Sequence, residues 1–270
     1  MKRNLIYYIC PFKSNYEWKK NIEELLQYLE VFNNRLIVSI ARGKDLEDPS
    51  KVKKMFGVKK CEYLEVENNR NLGETEPFMK MLKRVYSVDP EEISFYAHAK
   101  GVSPSHQLSR LKNIQIWRNL MYYFCLGNIQ QIDTVIKNFS SCGCFKRDFP
   151  CSPNVPEPWH FSGTFFWFNH ANLFNCSNWS EIRKDTRFAA ERYLATLFDS
   201  SSAYCLFGEA QKGNVASPDI FSKREWAKLL KPYRLNSNHF CDPRFRTINW
   251  AGEKARELWR KVKYEFRLNQ

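Results

Sequence analysis

The sequence predicts an α/β fold built on a mostly parallel central sheet flanked by helices, and three observations predict it. Four strand-like segments alternate with three helix-like ones within the first hundred residues, and consecutive parallel strands need crossover connections of that kind. The second strand segment, residues 35–41, is almost continuously apolar, as a strand covered on both faces should be. Hydrophobic residues at 43% and charged residues at 26%, with only 10 Gly and 12 Pro, describe a packed globular chain and exclude collagenous, repetitive and disordered classes.

The elements follow in order. Residues 4–10, rich in Ile and Tyr and stopped by Pro11, read as the first strand. Trp18, Ile22, Leu25, Leu26 and Leu29 then recur at helical spacing. After the strand at 35–41 comes a short helix at 52–56. A third strand at 61–66 follows, in which Tyr63 and Glu65 alternate with Leu64 and Val66, so a more exposed place in the sheet is expected. The Asn-rich stretch 68–74 opens a helix at 77–86, and a fourth strand, 93–98, ends at Lys100 and Gly101. A long helix over 113–138 follows, with Gly127 and Asn128 as a break point. Residues 159–168 read as one buried strand with a close backbone approach at Gly163, and the next helix carries Arg187 and Glu191 at i,i+4 on one face.

Charge and cysteine usage narrow the setting. Of the net charge of +13, residues 221–270 supply +8, from 13 Lys and Arg against 5 Asp and Glu. Such an excess suits nucleic acid, anionic lipid or a phosphorylated ligand, and it equally suits a solvated face. Nine cysteines without framework spacing point to reduced thiols. Cys142, Cys144 and Cys151, with His160, are the only group resembling a zinc site, and loop or buried thiols are the simpler reading. No apolar run approaches the roughly 18 residues of a membrane span, and the N-terminus has no leader pattern, so a cytoplasmic address is expected.

Ligands of open α/β sheets bind beyond the carboxyl ends of the strands. Three loops converge there: the one after Cys10, the 68–74 turn, and the turn through His98, Lys100 and Gly101. Neither a dinucleotide-binding glycine fingerprint nor a P-loop occurs, which removes most nicotinamide oxidoreductases and P-loop nucleotidases.

Four motifs in order carry a resemblance. They are Tyr96 to Gly101 with His98, Ala99 and Lys100; Trp117 with Arg118; His160 to Trp167; and Arg187 with Glu191. Together they resemble a family of glycosyltransferases reading H-[ST]-K-G, W-R, Y-S-G-N-F-W-W and R-x-x-x-E, and more distantly the GT-A fold of nucleotide-sugar transferases. The resemblance spans roughly residues 5–198. Ala99, Thr164 and Phe166 depart from the family pattern, and the change at Thr164 puts acceptor contacts in question. The resemblance implies a GT-A-like, Rossmann-type catalytic domain, placed over 1–218, and the charge and apolar stripe of the remainder give a basic amphipathic helical tail over 219–270.

The resemblance also implies roles. Cys10, Pro11, Phe12, Asn71, Gly73, His98, Lys100 and Gly101 would bind a nucleotide-sugar donor. His160, Ser162, Gly163, Thr164, Trp167 and Arg187 would contact a glycan or lipid-linked acceptor, in surface polysaccharide synthesis. Where GT-A enzymes carry an Asp-x-Asp pair for a divalent metal, this chain has His98, Ala99 and Lys100. Metal-independent transfer is therefore favoured, with Lys100 and His98 meeting the charge of the leaving diphosphate, and with Mn or Mg as the alternative. Glu191 is the expected general base, and an ordinary helix-surface pair with Arg187 is its bland alternative. Trp117 and Arg118 have weaker claims, as core and as a phosphate contact or ion pair. In the tail, Ala251, Ala255, Leu258, Trp259, Val262 and Phe266 form an apolar stripe opposite a basic face, suited to an anionic membrane surface or to docking on the main domain. A non-catalytic nucleotide-sugar or glycan binder remains the alternative function. A nucleic-acid-binding protein is a lesser one, since no recognised binding motif accompanies the charge.

Overall fold

A computed structural model describes residues 1–57, 60–102, 108–150, 156–208, 227–228 and 230–231. The chain divides into two compact units, Met1–Gln107 with Arg118–Ser217, and Leu108–Trp117 with Pro218–Gln270. The first unit carries the sheet. In the second, residues 108–117 form the first part of a helix that continues into the first unit, and 227–228 and 230–231 are helical. The amphipathic stripe expected at 251–266 and Cys151 lie outside the described residues.

Strands β1 (Lys2–Ile9), β2 (Leu36–Arg42), β3 (Cys61–Glu67) and β4 (Glu92–His98) pair in parallel in the order β3-β2-β1-β4. Helices α1 (Glu17–Leu26), α2 (Pro49–Phe56) and α3 (Thr75–Val85) make the crossovers. β1, β2 and β4 are buried almost throughout, whereas β3, at the sheet edge, is half exposed as its alternating pattern requires. The sequence marks the ends of α2 clearly. Asp48 accepts the Ser50 amide at 2.8 Å, Pro49 starts the helix, and Gly57 ends it at φ 66°.

The second half adds α4 (Leu108–Leu126), α5 (Ile129–Ile136), β5 (Ser141–Cys144), β6 (Lys146–Arg147), β7 (His160–Phe161), β8 (Phe166–Asn169), α6 (His170–Phe174), α7 (Ala189–Arg192) and β9 (Ala203–Phe207). The break expected at Gly127 and Asn128 is there: Asn128 caps α5 by accepting the Gln131 amide at 3.2 Å. The main sheet extends as β4-β8-β5-β9, with β8 antiparallel to both neighbours and β5 parallel to β9. Four of its six pairings are parallel, so the mostly parallel sheet flanked by helices is what the chain forms, a Rossmann-type α/β arrangement.

Three local expectations are corrected. Residues 159–168 are not one strand. Gly163 (φ 98°) and Thr164 (φ 61°) turn the chain, so β7 pairs with β6 in a two-stranded sheet and β8 enters the main sheet. Arg187 and Glu191 do not share a helix, because the Thr186 hydroxyl accepts the Phe188 amide at 3.2 Å and α7 starts only at Ala189. β5 and β9 were not expected as strands. Cys142 and Cys144 are buried strand residues, and the seven described cysteines are all free thiols.

One core layer, including Ile6, Ile37, Phe78, Met81, Leu82, Tyr96, Phe166, Phe168 and Tyr193, lies on the sheet face covered by α3, α6 and α7. Strand residues alternate between faces, so Phe95 and Trp167 belong to the opposite layer, where they pack together at 5.2 Å between ring centroids. Val38 also faces away from Ile37, and Phe56 of α2 meets Tyr63, its neighbour in register, on that side. Among the described residues no helix is long and apolar enough to cross a membrane.

Candidate functional site

The turn after β4 is built by backbone and by asparagines. The Ala99 amide extends the strand ladder to the Tyr8 carbonyl at 2.9 Å, and Gly101 (φ 80°) reverses the chain. Asn21 of α1 accepts the Lys100 amide at 2.8 Å and donates to the Lys100 carbonyl at 2.9 Å, while Asn15 donates to the Gly101 carbonyl at 3.2 Å. Asn21 is fully buried on the apolar stripe with Trp18, Ile22 and Leu25, an out-of-place polar residue that the sequence displays.

The second turn, after β3, is folded by Asn69, whose side chain accepts the Asn71 and Leu72 amides at 3.1 and 3.2 Å and whose carbonyl accepts the Gly73 amide at 2.7 Å. Gly73 has φ 52°, and a Cβ built there would lie 4.0 Å from Arg187. Glu74 then starts α3 without capping it. Its buried carboxylate accepts from Tyr96 Oη at 3.0 Å, from Thr164 Oγ1 at 3.1 Å and from His98 Nδ1. Burial alone would raise the Glu74 pKa, but His98, Lys100 and the Tyr96 hydroxyl together hold it below the ordinary glutamate value. Glu74 is the functional-site residue that the sequence reading missed. It is the single carboxylate of the 68–74 turn, and an acidic residue opening a helix reads equally well as a partner of the helix dipole.

The third loop brings Gly163 and Glu191 together, with the Gly163 amide donating to Glu191 Oε1 at 2.7 Å. Glu191 is half-buried. It also shares a field with Lys100. Burial lowers the Lys100 pKa most, Glu191 and Glu74 act against that, and Arg187 adds to the lowering. His160, buried on β7, is likewise lowered by burial first, with Glu191 raising it. α7 is anchored from below by Arg192, which is 2% exposed, bonds Glu157 at 3.0 Å and pairs with Asp185. Thr75 fastens the loop to α3, donating to the Thr186 and Arg187 carbonyls at 3.4 and 3.3 Å.

His98, Lys100, Glu191, Gly163 and Thr164 therefore gather with Glu74 at the carboxyl end of β4, with Gly73 and exposed Arg187 beside them. Cys10, Pro11 and Phe12 lie at the end of β1. Burial pushes the Cys10 thiol up to about 12, and it donates weakly to Asn68 Oδ1 at 3.7 Å. The Pro11 carbonyl accepts the Glu47 amide at 2.8 Å, and Phe12 bridges to Leu46. Asn71 is exposed, and the Ser162 amide is bonded to the Phe145 carbonyl at 3.1 Å. Two roles expected for site residues do not fit their places. Trp167 is fully buried in the opposite core layer, donating to the Cys125 carbonyl at 2.8 Å, so it shapes no pocket on this face. Thr164 is also fully buried, its hydroxyl committed to Glu74. Arg118 is no phosphate contact either, for it is buried against Glu17 at 3.0 Å.

The donor set at the β4 turn does not fit a divalent cation. Lys100 brings positive charge, the Nδ1 of His98 is held by Glu74, and both Glu74 oxygens already accept hydrogen bonds, three in all. Beyond this turn, no three His, Cys, Asp or Glu side chains among the described residues converge as metal ligands.

No family model matches the chain, and no curated protein does. Among solved structures the chain is similar to 4-diphosphocytidyl-2C-methyl-D-erythritol synthase, at 11% identity and a TM-score of 0.38, over 82% of this chain and 95% of that one. At that distance the likeness carries no argument about what this chain binds.

Proposed function

We propose that the protein is a glycosyltransferase that moves a sugar from a nucleotide-sugar donor to a hydroxyl of a glycan or lipid-linked acceptor, without a metal ion. One observation carries this reading: a half-buried carboxylate, Glu191, and the Lys100 side chain act on each other electrostatically where the chain leaves the carboxyl end of β4. Transfer needs that pair of opposite functions. The acceptor oxygen attacks the anomeric carbon and gives its proton to Glu191. The bond from that carbon to the diphosphate oxygen breaks, and the charge left on the diphosphate is met by Lys100 and His98.

Local structure supports the assignment of roles. The Gly163 amide engages one Glu191 oxygen and orients the carboxylate. Arg187 and Phe188, which is 46% exposed with the guanidinium 5.5 Å from its ring centre, offer a stacking and hydrogen-bonding edge for a sugar. The basic composition of residues 221–270 suits an acceptor held at an anionic membrane face.

The test is release of nucleoside diphosphate from a panel of nucleotide sugars, with and without polysaccharide or lipid-extract acceptors, by wild type and Glu191→Gln. The reading expects acceptor-stimulated release that falls at least about a hundredfold in the variant while donor binding is retained. Donor binding with no release by the wild type under any acceptor would leave a binding module instead.

A further inference from the structure

Glu74 is buried and ionised, and it accepts three hydrogen bonds. A carboxylate only accepts hydrogen bonds, so each of its three partners must bring the hydrogen, and His98 brings its own on Nδ1. The ring's other nitrogen, Nε2, has no hydrogen-bond partner among the described residues, and the side chain is partly open at 15% exposure. Thr164 keeps a left-handed backbone, rare for a β-branched residue, and from that conformation its hydroxyl reaches Glu74. Tyr96, two residues before His98 on the same face of β4, holds the same carboxylate from below.

We propose that Glu74 is a positioning residue, holding the His98 hydrogen on Nδ1 so that Nε2 is the nitrogen that takes up a proton and, as Nε2–H, donates to a phosphate oxygen of a diphosphate ligand. Histidines that work on a ligand with one nitrogen are commonly oriented by a hydrogen bond at the other. When the ring is protonated, Nε2–H donates to the phosphate while Glu74 balances the ring from the opposite side. Lys100, next but one in the chain, supplies the second positive group, and Glu191 and Arg187 are the remaining charges around it. The ligand class rests on the reading under Proposed function; the tautomer does not.

The experiment uses the full chain labelled with 15N-histidine, the His98 signals being assigned by their loss in His98→Asn. In wild type with the ring neutral, the spectrum should show a protonated Nδ1 and a bare Nε2. In Glu74→Gln, whose amide can donate to Nδ1, that preference should weaken or reverse. Binding of inorganic pyrophosphate should weaken about tenfold in Glu74→Gln and in His98→Asn, and no further when the two are combined, because Glu74 acts through the ring. A neutral wild-type ring whose one hydrogen sits on Nε2 overturns the proposal, as does a Glu74→Gln effect that persists in full in the His98→Asn background. Should Glu74→Gln fail to fold, the wild-type tautomer and the His98→Asn affinity still decide. A wild type with the stated tautomer that binds neither pyrophosphate nor any nucleoside diphosphate removes the ligand class together with the proposed donor site, and leaves the positioning of His98 standing.

Discussion

Asn21 grips the Lys100 backbone on both sides of its Cα, accepting the N–H at 2.8 Å and donating to the carbonyl at 2.9 Å. A helix on one side of the sheet thus sets the path of the turn that carries the ammonium. Asn21 is also bonded to its own helix, donating to the Glu17 carbonyl at 2.7 Å, so its orientation is fixed. Replacing it with Ala strands two polar groups of Lys100 and should cost about 1–3 kcal/mol in urea unfolding. Affinity for nucleoside diphosphates should fall with it. An unchanged affinity in the folded variant would mean that the turn keeps its shape without this clamp.

Arg192 is buried between Glu157 and Asp185, one residue from Glu191. Arg192→Met leaves the buried Glu157, among the described residues, with the more distant Arg183 at 3.8 Å, and should destabilise the fold by about 3 kcal/mol. Combining it with Glu157→Gln should recover part of that loss, because the charge left unpaired is then gone. Equal loss in the single and double variants, read from denaturant midpoints, would show that packing rather than charge is at stake.

His170 sits at the opposite, amino end of the strands, bonded to Ser94 at 2.7 Å and facing Glu92, Asn4 and Arg35. Burial pushes its pKa down from 6.5 to about 4, against the pull of Glu92. A depressed folded value means that the unfolded chain binds the extra proton first. The stability from the neutral ring is therefore complete above pH 6.5 and is lost as pH falls towards 4, a change on the order of 2–4 kcal/mol. Stability measured across that window should fall less steeply in His170→Asn than in wild type; identical slopes would place the acid sensitivity elsewhere.

The parallel half of the fold was legible because β1, β2 and β4 are buried almost throughout and its helices carry plain apolar stripes. The succession of β1 to β4 along the chain and the exposure of β3 follow from those patterns, whereas their order in the sheet does not. The antiparallel return through β8 was hidden by Gly163 and Thr164, since Thr gives no hint of the left-handed backbone it adopts. β5 was masked because its Cys-Gly-Cys run reads as a ligand cluster before it reads as a strand. In the site, Lys100, His98 and Glu191 stood out through ordered motifs, whereas Glu74 is a lone carboxylate whose meaning comes from Tyr96, His98 and Thr164, up to 90 residues away in sequence. Trp167 was misread because an aromatic block does not reveal which of its members faces the crevice.

A donor site at the β4 turn is tested by the thermal stabilisation of wild type and Lys100→Ala by a panel of nucleoside diphosphates and nucleotide sugars, each in EDTA and in Mn²⁺. A ligand bound only by the native state raises the apparent melting temperature in proportion to its affinity. A metal-independent donor site at the β4 turn predicts a shift by one nucleotide series that persists in EDTA and disappears in Lys100→Ala. A shift that requires Mn²⁺, or that survives undiminished in Lys100→Ala, would contradict it.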